Sequence, residues 1–506
     1  MFHVKTSRKC CSPSTSSSIP SCHSAREAVF LVLERCALHR PVQAALHEIL
    51  DRVTLSEQDK ALTTELVYGY LRREPSLRWI VAHYLKAPEK LPPAMLQRLE
   101  SAAYELFCLD RIPAHATVDT TVSEIKKRFG QGLSRVANGL LRNLVRLHEQ
   151  EGSLDRVLVC LTSQDHQLTP LEQLEITSGV PQWILSLWHS AYGEETAHQL
   201  AESASKTPWS CIRINRLRPG WRASLEHFCR PPSSSGFDKS MNAGFDECMN
   251  GTLPAACGEQ VGFSGVRFPP GKNQASLRQG LLAGDFSRQG GGSQALLAAL
   301  LSEGEEDPGV LSGSLATPPG RLRSAPVLED WYRGKPFWDA CAGYGGKTFA
   351  LAELGLNIWA ASDINLSRLQ GIRREARRLH LSPPPIFCAS AAAPALRKGP
   401  PLVIVDAPCS GLGTLARRPD LRRLRRPEQI SELVALQKDL LHACWALTPA
   451  GGRLVYMTCT VNPGENEQQV RAFLAEHSEA ELHREWRNTP DACGTDLMYG
   501  AVLRKA

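Results

Sequence analysis

From Trp331 onward, short apolar runs alternate with amphipathic helical segments, and this pattern restricts the fold more than any other feature of the chain. The apolar runs have the length of strands, and they read KPFWDACAG, NIWAASDI, PLVIVDAP and GRLVYMTCT. Buried strands that are separated by helices form a parallel sheet with helices on both faces. We therefore predict an α/β domain over residues 331–506.

The two upstream segments have different patterns. Residues 25–150 contain about six amphipathic helical segments with short breaks between them, which predicts an all-α bundle. Residues 155–330 stay helical as far as Ser205, then alternate as a strand and become rich in Gly, Ser and Pro. Here we expect a small α/β module with a loop-rich insertion over 231–293. A length of 506 residues suits such a multidomain chain, at roughly 150 residues per domain.

Composition excludes several classes of protein. No run approaches the ~18 apolar residues that a membrane helix needs, and a net charge of +6 excludes a strongly acidic chain. The sixteen cysteines form no C-x-x-C pair and no cluster at zinc spacing, so we expect reduced thiols, no metal site and a cytoplasmic location. Residues 1–24 are Ser-rich without an acid, and we expect a disordered extension there, with a transit peptide as the alternative.

A glycine-rich turn follows the first strand of the α/β domain and leads directly into a helix. Three glycines after Asp339 allow a ligand to approach the backbone closely at the carboxyl edge of the sheet. Asp363 ends the second strand, roughly twenty residues later, where an acid can accept the hydroxyls of a ribose. A P-loop needs a glycine where Cys341 stands, and the NAD motif is also absent. The pattern therefore favours S-adenosylmethionine as the cofactor.

Two cysteines follow the ends of two later strands, Cys409 after Asp406-Ala-Pro and Cys459 within Thr-Cys-Thr. The carboxyl ends of parallel strands open into one crevice, so both thiols are expected beside the cofactor. Methylation at carbon 5 of a pyrimidine needs a thiolate that adds to C6, an acid near N3 and a base for the C5 proton. This chemistry does not decide which of the two thiols is the nucleophile.

Several motifs together resemble the Sun/NOL family of RNA 5-methylcytosine methyltransferases. They are CAGYGGKT, DAPCSG, RRPDLRRLRRPEQI, LVYMTCTVNPGENEQQV and DLMYGAVLRK. The segments ELVYGYLRR and IPAHATVDTTVSEIKKRFG upstream resemble the RNA-binding NusB domain. That fusion is similar to the RsmB-type methyltransferases of 16S ribosomal RNA. The resemblance implies a NusB-like bundle, a small α/β RNA-binding module and a Rossmann-like methyltransferase domain that uses S-adenosylmethionine.

The resemblance also implies roles for individual residues. Cys459 becomes the nucleophile, Cys409 assists product release, and Asp406 contacts both N3 of the base and the cofactor. DNA cytosine methyltransferases instead use the thiol of a Pro-Cys motif as the nucleophile. Asp363 becomes the ribose acid, and the cofactor loop comprises Cys341, Ala342, Gly343, Tyr344, Gly345, Gly346 and Lys347.

Two departures from the family pattern bear on the cofactor. The usual Ala-Ala-Pro-Gly-Gly-Lys reads Ala-Gly-Tyr-Gly-Gly-Lys here, which keeps Gly-Gly-Lys but removes a rigid proline. The third acidic contact of the family falls at Ser390, whose hydroxyl can hydrogen-bond the adenine but carries no charge. We expect a reduced affinity for the cofactor.

Positive charge is concentrated around the cysteine motifs. Residues 366–426 contain thirteen Lys and Arg but three acids, a net charge of +10, although the whole chain carries only +6. Arginine binds phosphate bidentately, and a cluster directly after DAPCSG is expected to contact RNA. This cluster comprises Arg417, Arg418, Arg422, Arg423, Arg425 and Arg426. The arginines over 368–378 are read equally well as a solvated helix face.

Three functions remain open from the sequence. The first is methylation of cytosine C5 in ribosomal RNA, with 16S RNA as the partner and the protein acting as a monomer. The second is a catalytically weak RNA-binding assembly factor, which the two departures favour and the presence of both cysteines disfavours. The third is a tRNA cytosine-5 methyltransferase.

Overall fold

The structure is a computed structural model that describes residues 24–229, 258–269, 277–303, 326–490 and 494–506. The chain divides into two compact units, Met1–Tyr68 and Gly69–Ala506. The predicted extension over residues 1–24 lies almost entirely outside the described residues.

The first unit is helical. Helix α1 (Ala25–Ala37) packs against α2 (Val42–Leu50), and α3 (Glu57–His83) begins in this unit. Ser24 caps α1 because its hydroxyl accepts a hydrogen bond from the Glu27 backbone N at 3.2 Å. The apolar faces of these helices are buried, as the helical periodicity predicts.

The second unit begins with further helices. Their bounds are α4 (Pro93–Cys108), α5 (Ala114–Phe129), α6 (Gln131–Glu151), α7 (Leu154–Gln164), α8 (Pro170–Ser178), α9 (Gln182–Tyr192) and α10 (Glu194–Ser205). The helical segments predicted over 25–150 are confirmed as α1–α6, and the helical pattern does end at Ser205. No helix in the described part of the chain is long and apolar enough to cross a membrane.

A four-stranded antiparallel sheet follows in the order β2-β3-β1-β4. Its elements are β1 (Ser210–Ile214), α11 (Trp221–Cys229), β2 (Glu259–Val261), β3 (Gly265–Phe268), α12 (Arg278–Ala283), β4 (Phe286–Arg288) and α13 (Gly291–Leu301). Strand β1 confirms the predicted strand, and its isoleucines pack with Phe228 and Phe286.

The loop-rich insertion predicted over 231–293 is wrong for the part that is described. Residues 258–269 and 277–293 supply three of the four strands, helix α12 and the start of α13. The glycines there permit close packing: a Cβ on Gly265 would lie 2.5 Å from the Val261 carbonyl oxygen. Glycine composition alone does not distinguish such contacts from a loop.

The last part of the chain forms a seven-stranded sheet in the order β10-β11-β9-β8-β5-β6-β7. Its strands are β5 (Pro336–Asp339), β6 (Asn357–Asp363), β7 (Ile386–Cys388), β8 (Leu402–Asp406), β9 (Arg453–Thr458), β10 (Ala480–Arg487) and β11 (Tyr499–Lys505). Its helices are α14 (Gly346–Glu353), α15 (Leu366–Arg378), α16 (Leu421–Leu424), α17 (Glu428–Leu447) and α18 (Glu467–Glu476). Five neighbouring strands are parallel, as predicted, in the order β9-β8-β5-β6-β7. Strands β11 and β10 add an antiparallel edge beside β9.

Helices cover both faces of this sheet. Leu441 and Trp445 of α17 lie in one core cluster with Phe473 of α18. Leu296 and Leu300 of α13 lie in the core cluster of the other face. Helix α13 therefore packs on the seven-stranded sheet, although the predicted domain boundary at residue 330 places it in the preceding module.

Candidate active site

Four parallel strands end at one edge of the seven-stranded sheet, and the predicted catalytic and cofactor residues other than Ser390 lie at these ends or in the segments that follow them. Ser390 follows the neighbouring strand β7. Strands β5, β6 and β8 end at Asp339, Asp363 and Asp406, and β9 ends at Thr458. Because the strands are parallel, the four loops open into the same crevice. The fold thus assembles side chains from widely separated segments.

The turn after β5 is held by backbone and side-chain hydrogen bonds. Gly343 and Gly345 have positive φ angles of 56° and 84°, which glycine adopts without strain. Thr348 donates from Oγ1 to Asp339 Oδ2 at 2.6 Å, which ties the first turn of α14 to the end of β5. Burial raises the pKa of Asp339 to about 7. These contacts fix the predicted cofactor loop in one conformation.

Asp363 also organises this loop. Its Oδ2 accepts a hydrogen bond from the Gly343 backbone N at 3.0 Å, and its Oδ1 accepts one from Asn365 N at 2.8 Å. Each carboxylate oxygen keeps a further lone pair, which a ribose hydroxyl can use. A Cβ placed on Gly343 or Gly346 would meet no atom within 4 Å, so space is open beside the loop.

Ile364, which the sequence did not predict as a cofactor residue, and the predicted Ser390 follow the ends of β6 and β7. Ile364 is exposed directly after Asp363 and provides an apolar surface for a base. The Ser390 hydroxyl is half-buried and accepts a hydrogen bond from Ala392 N at 3.3 Å. Acid, glycines and apolar surface together fit a nucleoside cofactor such as S-adenosylmethionine.

Tyr344 occupies the position where the related motif has proline. Its side chain is 66% exposed, and its ring lies beside Gly371 of α15. A Cβ on Gly371 would lie 2.9 Å from Tyr344 Cδ1, so a larger residue there requires the ring to shift. The Tyr344–Gly371 contact therefore supports the loop that the missing proline would have stiffened.

The two predicted cysteines do come together. Cys409 Sγ lies 3.3 Å from Cys459 Sγ, and the Cys459 backbone N donates to Cys409 Sγ at the same distance. Cys409 is buried and Cys459 is half-buried, and both are free thiols. This distance allows the two sulfur atoms to share one proton.

The surroundings of the two thiols shift their pKa values in opposite directions. The hydrogen bond from Cys409 lowers the pKa of Cys459, against the effects of burial and Asp406, and nearby Lys347 also lowers it. The same hydrogen bond, together with burial, raises the pKa of Cys409 well above its usual value. Cys459 is therefore the thiol that ionises first.

Lys347 and Asp406 form an ion pair beside the thiols. Lys347 Nζ lies 2.5 Å from Asp406 Oδ2, and the lysine side chain is largely buried. The pair links the cofactor loop after β5 to the tip of β8. It supplies a cation and a carboxylate within one part of the crevice.

Glu465, for which the sequence predicts no role, connects the two cysteine loops. Its fully buried carboxylate accepts hydrogen bonds from Ser410 N at 2.7 Å and Ser410 Oγ at 2.6 Å. It also accepts from Thr460 Oγ1 and Asn462 Nδ2, both at 3.2 Å. Gln437 donates to both Glu465 Oε1 and the Pro408 carbonyl. One carboxylate thus fixes the neighbours of Cys409 and of Cys459.

Most arginines of the predicted RNA-binding cluster form hydrogen bonds or ion pairs with other groups of the protein. Arg422 is only 5% exposed and donates to the carbonyl oxygens of Gly179 at 2.9 Å and Ala204 at 2.7 Å. Arg425 donates to the carbonyl oxygens of Ser410 and Cys409 at 2.7 and 3.2 Å. The prediction that Arg422 contacts RNA is therefore wrong, and the contacts of Arg425 place it against the Cys409 loop.

Four arginines of the cluster keep exposed surface. Arg417 pairs with Asp496, and Arg423 pairs with Glu74 at 3.1 Å. Arg418 is 52% exposed in its side chain, and Arg426 is also exposed. Arg425 is half-buried like Arg417, so Arg422 is the one member of the predicted cluster that has no surface for an RNA contact.

Comparison with known proteins agrees with this geometry. Residues 23–146 match the NusB family, and residues 327–499 match the family described as 16S rRNA methyltransferase RsmB/F. The chain is 30% identical to the probable ribosomal RNA small subunit methyltransferase B of Synechocystis sp., over 92% of this chain and 91% of that protein. It is 28% identical to the ribosomal RNA small subunit methyltransferase B of Shewanella oneidensis, over 95% and 98%.

The fold is also similar to the crystal structure of PH0851, with a TM-score of 0.65 and 19% identity over 95% of this chain and 98% of that one. The Rossmann-like sheet and the loops at its carboxyl edge define the last domain as a methyltransferase domain. With its NusB-like region, the chain belongs to the family of ribosomal RNA small subunit methyltransferase B. The resemblance inferred from the motifs is confirmed.

Proposed function

We propose that the chain methylates carbon 5 of a cytosine in small-subunit (16S) ribosomal RNA, with S-adenosylmethionine as the methyl donor. The observation that carries the proposal is the pair of free thiols 3.3 Å apart, at the tips of adjacent parallel strands. The two relatives described above carry ribosomal RNA small subunit methyltransferase in their names, which supports the substrate class.

The cofactor fits beside the glycine-rich turn. Asp363 accepts hydrogen bonds from the ribose hydroxyls, and Ser390 hydrogen-bonds the adenine. The open space beside Gly343 and Gly346 lets the cofactor approach the backbone closely. Tyr344 and Ile364 provide the apolar surface around it. S-adenosylmethionine supplies a methyl group on a sulfonium centre, which an electron-rich carbon can accept.

Cys459 activates the base. Its thiolate adds to C6 of the cytosine, and the electron pair of the C5–C6 bond becomes available at C5. Asp406 in its protonated form donates its proton to N3 and neutralises the negative charge that develops there, and the Lys347 ammonium, 2.5 Å from Asp406 Oδ2, stabilises the carboxylate that remains. Once C5 carries the methyl group, a base must accept the C5 proton before the C6–Sγ bond breaks.

Cys409 acts at this release step. It lies against Cys459 and carries the shared proton before the reaction. Once Cys459 is bonded to C6, Cys409 releases this proton to solvent, and its thiolate accepts the C5 proton while the electron pair of the C6–Sγ bond returns to Cys459. RNA approaches past the exposed side chains of Arg418 and Arg426, with Arg417 and Arg423 beside them. The target base has to leave its stack to expose C6.

Bisulfite sequencing of ribosomal RNA from cells with and without the gene tests the proposal. We expect one cytosine of the small-subunit RNA to lose its protection when the gene is deleted. The parent gene should restore protection, whereas Cys459→Ala should not. Loss of protection in tRNA alone would identify the chain as a tRNA methyltransferase, and unchanged RNA would leave only an assembly role.

A matched assay uses purified protein and labelled S-adenosylmethionine. Cys459→Ala is expected to abolish transfer of the label to RNA, while its thermal unfolding stays close to that of the parent. Label transfer that survives this substitution would remove Cys459 as the nucleophile.

A further inference from the structure

Arg213 joins the four-stranded sheet to the helix that follows the glycine-rich turn. It belongs to β1, which pairs with both β3 and β4, and its side chain is only 5% exposed. The side chain contacts α14, which begins at Gly346, the last glycine of that turn. Both residues belong to the second compact unit, although Arg213 precedes the segment that matches the methyltransferase family. A residue of the preceding module therefore contacts the predicted cofactor loop.

The Arg213 guanidinium contacts both ends of α14. At the last residue of the helix it forms a bidentate ion pair with Glu353, in which Nε lies 2.8 Å from Oε2 and Nη2 lies 2.9 Å from Oε1. At the first residue, Nη1 donates to the Gly346 carbonyl oxygen at 2.9 Å. Glu353 is 4% exposed, so solvent screens the ion pair little. The planar fork of the guanidinium thus holds α14 at both ends.

Gln289 supports the contact between Arg213 and Gly346. Its Oε1 accepts a hydrogen bond from Arg213 Nη1 at 2.7 Å, which fixes the atom that donates to Gly346. Its Nε2 donates to Ser293 Oγ at 3.3 Å and to the Gly346 carbonyl oxygen at 3.4 Å. The carbonyl of Gly346 therefore accepts hydrogen bonds from two side chains that precede the methyltransferase domain in the chain.

Helix α15 anchors the four-stranded sheet through a separate set of contacts. Arg378, the last residue of α15, donates to the Phe286 carbonyl oxygen at 2.9 Å and to Ser287 Oγ at 2.7 Å. Asn215 Nδ2, directly after β1, donates to the Leu379 carbonyl oxygen at 3.4 Å. Loss of the contacts with α14 would leave these hydrogen bonds in place, so β1 and β4 provide a fixed support for α14.

Gly346 links this support to the groups that bind the cofactor in the proposed function. It follows Gly345, which has a positive φ of 84°, and precedes Lys347, which pairs with Asp406. Adjacent glycines have large backbone freedom, and ordering such a segment when a ligand binds costs conformational entropy. A carbonyl that is held before the ligand arrives removes part of this cost.

We propose that Arg213 is a positioning residue for the cofactor: it holds the Gly346 carbonyl and so keeps the glycine-rich turn in the conformation that binds S-adenosylmethionine. The inference rests on the proposed function for the identity of the cofactor. It gives the four-stranded sheet a role in cofactor binding, in addition to the RNA contact that the family resemblance implies. Because Arg213 acts through Gly346, its loss affects binding of the cofactor more than the chemical step.

The test compares the parent with Arg213→Met/Glu353→Met. Both charges of the buried pair are removed together, because the loss of one partner alone would leave an uncompensated buried charge. The matched control is Arg378→Met/Glu375→Met, which removes an ion pair that holds the same sheet on α15 without contact with Gly346. Arg213→Lys is a further variant that keeps a charge opposite Glu353 but lacks the fork that also reaches Gly346. Thermal unfolding shows which of these proteins fold.

Two measurements are made without RNA: hydrogen–deuterium exchange of the peptide over 341–347 in the absence of cofactor, and the Kd for S-adenosylmethionine by calorimetry. We expect faster exchange and a roughly tenfold higher Kd in Arg213→Met/Glu353→Met, since the backbone entropy of about one residue corresponds to a change of this size. At saturating cofactor, its kcat and its KM for RNA should match those of the parent. The control should match the parent in both exchange and Kd.

Equal exchange and equal Kd in the parent and Arg213→Met/Glu353→Met would overturn the proposal. Equal losses in this variant and in the control would also overturn it, because they would assign the effect to the interface as a whole. A fall in kcat with an unchanged Kd would mean that Arg213 acts on the reaction and not on binding. If the double variant does not fold, Arg213→Lys decides: a higher Kd with faster exchange supports the proposal, and parent values contradict it.

The same measurements separate this inference from the proposed function. A parent that binds no S-adenosylmethionine would contradict the proposed function and the cofactor named here, whereas faster exchange in the variant would still support the contact of Arg213 with the turn. A parent that binds the cofactor and methylates RNA, with a variant that does the same at equal Kd, would contradict only the role of Arg213.

Discussion

Cys409 and Cys459 are fifty positions apart in the chain, yet their Sγ atoms lie 3.3 Å apart. The parallel pairing of β8 with β9 places Asp406 opposite Met457, so the loops after the two strands run side by side. Arg425 holds the first loop through the Ser410 carbonyl, and Glu465 joins both loops. The thiols are thus positioned before any substrate binds, and catalysis need not spend binding energy on bringing them together.

Removal of Cys409 is expected to stop turnover after the covalent step. Cys409→Ala keeps the nucleophile, so the adduct between Cys459 and C6 forms, but its release lacks the neighbouring thiol. We expect turnover to fall about a hundredfold or more and a protein–RNA complex to survive denaturing electrophoresis. Cys409→Ala/Cys459→Ala is the control and should show no complex. Normal turnover without adduct would remove the release role of Cys409.

The ionisation of Cys459 can be followed by its alkylation. Only the thiolate reacts with iodoacetamide, so the rate rises with pH through the pKa of Cys459. The hydrogen bond from Cys409 lowers that pKa, and its removal in Cys409→Ala should move the rise to higher pH. The rate is read from the Cys459 peptide by mass spectrometry, which excludes the other thiols.

Two further variants check the sign of the electrostatic effect. Lys347 lowers the pKa of Cys459, so Lys347→Met should also move the rise to higher pH. Asp406 raises this pKa, so Asp406→Asn should move it to lower pH. Shifts in the same direction for both variants would contradict the arrangement of charges in the crevice.

The buried Glu465 carboxylate predicts a loss of both stability and activity on substitution. Glu465→Ala leaves the donors of Ser410, Thr460 and Asn462 without their acceptor, and we expect the free energy of unfolding to fall by about 3 kcal/mol. Glu465→Gln keeps the shape, and the hydroxyls of Ser410 and Thr460 can rotate to accept from the new amide. The Asn462 Nδ2 group cannot accept a hydrogen bond from the new amide, so we expect Glu465→Gln to lose some stability, but less than Glu465→Ala. Thermal and urea unfolding measure both effects.

A control separates positioning from stability alone. Leu441→Ala removes a fully buried side chain of α17 in the core, at a cost of about 2–5 kcal/mol. We expect this variant to keep the parent kcat and the parent rate of Cys459 alkylation below its unfolding temperature. Glu465→Ala should lower kcat and change the alkylation rate at the same temperature. Equal behaviour of the two variants would reduce Glu465 to a structural residue.

The regular part of the fold could be predicted from the sequence because buried parallel strands are continuous apolar runs. Strand β8, with the sequence LVIVD, is of this kind. Strand β10 has the sequence AELHREWR and is half-exposed at the edge of the sheet, so its composition resembles that of a surface segment. Glycines in the four-stranded sheet suggested a loop, since composition cannot show that Gly265 packs against Val261.

Some residues of the site could likewise be predicted from the sequence, and others could not. Cys409, Cys459 and Asp363 could be placed because strand ends meet at one edge of a parallel sheet. Arg422 could not, because its burial depends on carbonyl groups of Gly179 and Ala204, more than two hundred residues away. No role could be predicted for Glu465, because the groups that donate hydrogen bonds to it belong to several segments of the chain.

The Tyr344–Gly371 contact leads to a prediction about cofactor binding. Replacement of a helical glycine with alanine ordinarily stabilises a protein by about 1 kcal/mol. In Gly371→Ala the new Cβ would lie 2.9 Å from Tyr344 Cδ1, so the ring and the cofactor loop have to shift. We expect this variant to gain no stability and to bind S-adenosylmethionine several-fold more weakly, as measured by calorimetry without RNA.

Two comparisons isolate the contact. Gly139→Ala on α6 is the matched control, because no atom lies within 4 Å of its new Cβ, and it should gain stability without a change in cofactor affinity. Tyr344→Ala removes the ring that Gly371→Ala would meet, so the helix should regain its alanine benefit in the double variant. A double-mutant cycle on the unfolding free energy then measures the coupling between the two positions. Strictly additive effects would mean that Tyr344 does not rest on α15, and the loop would need another support in place of the missing proline.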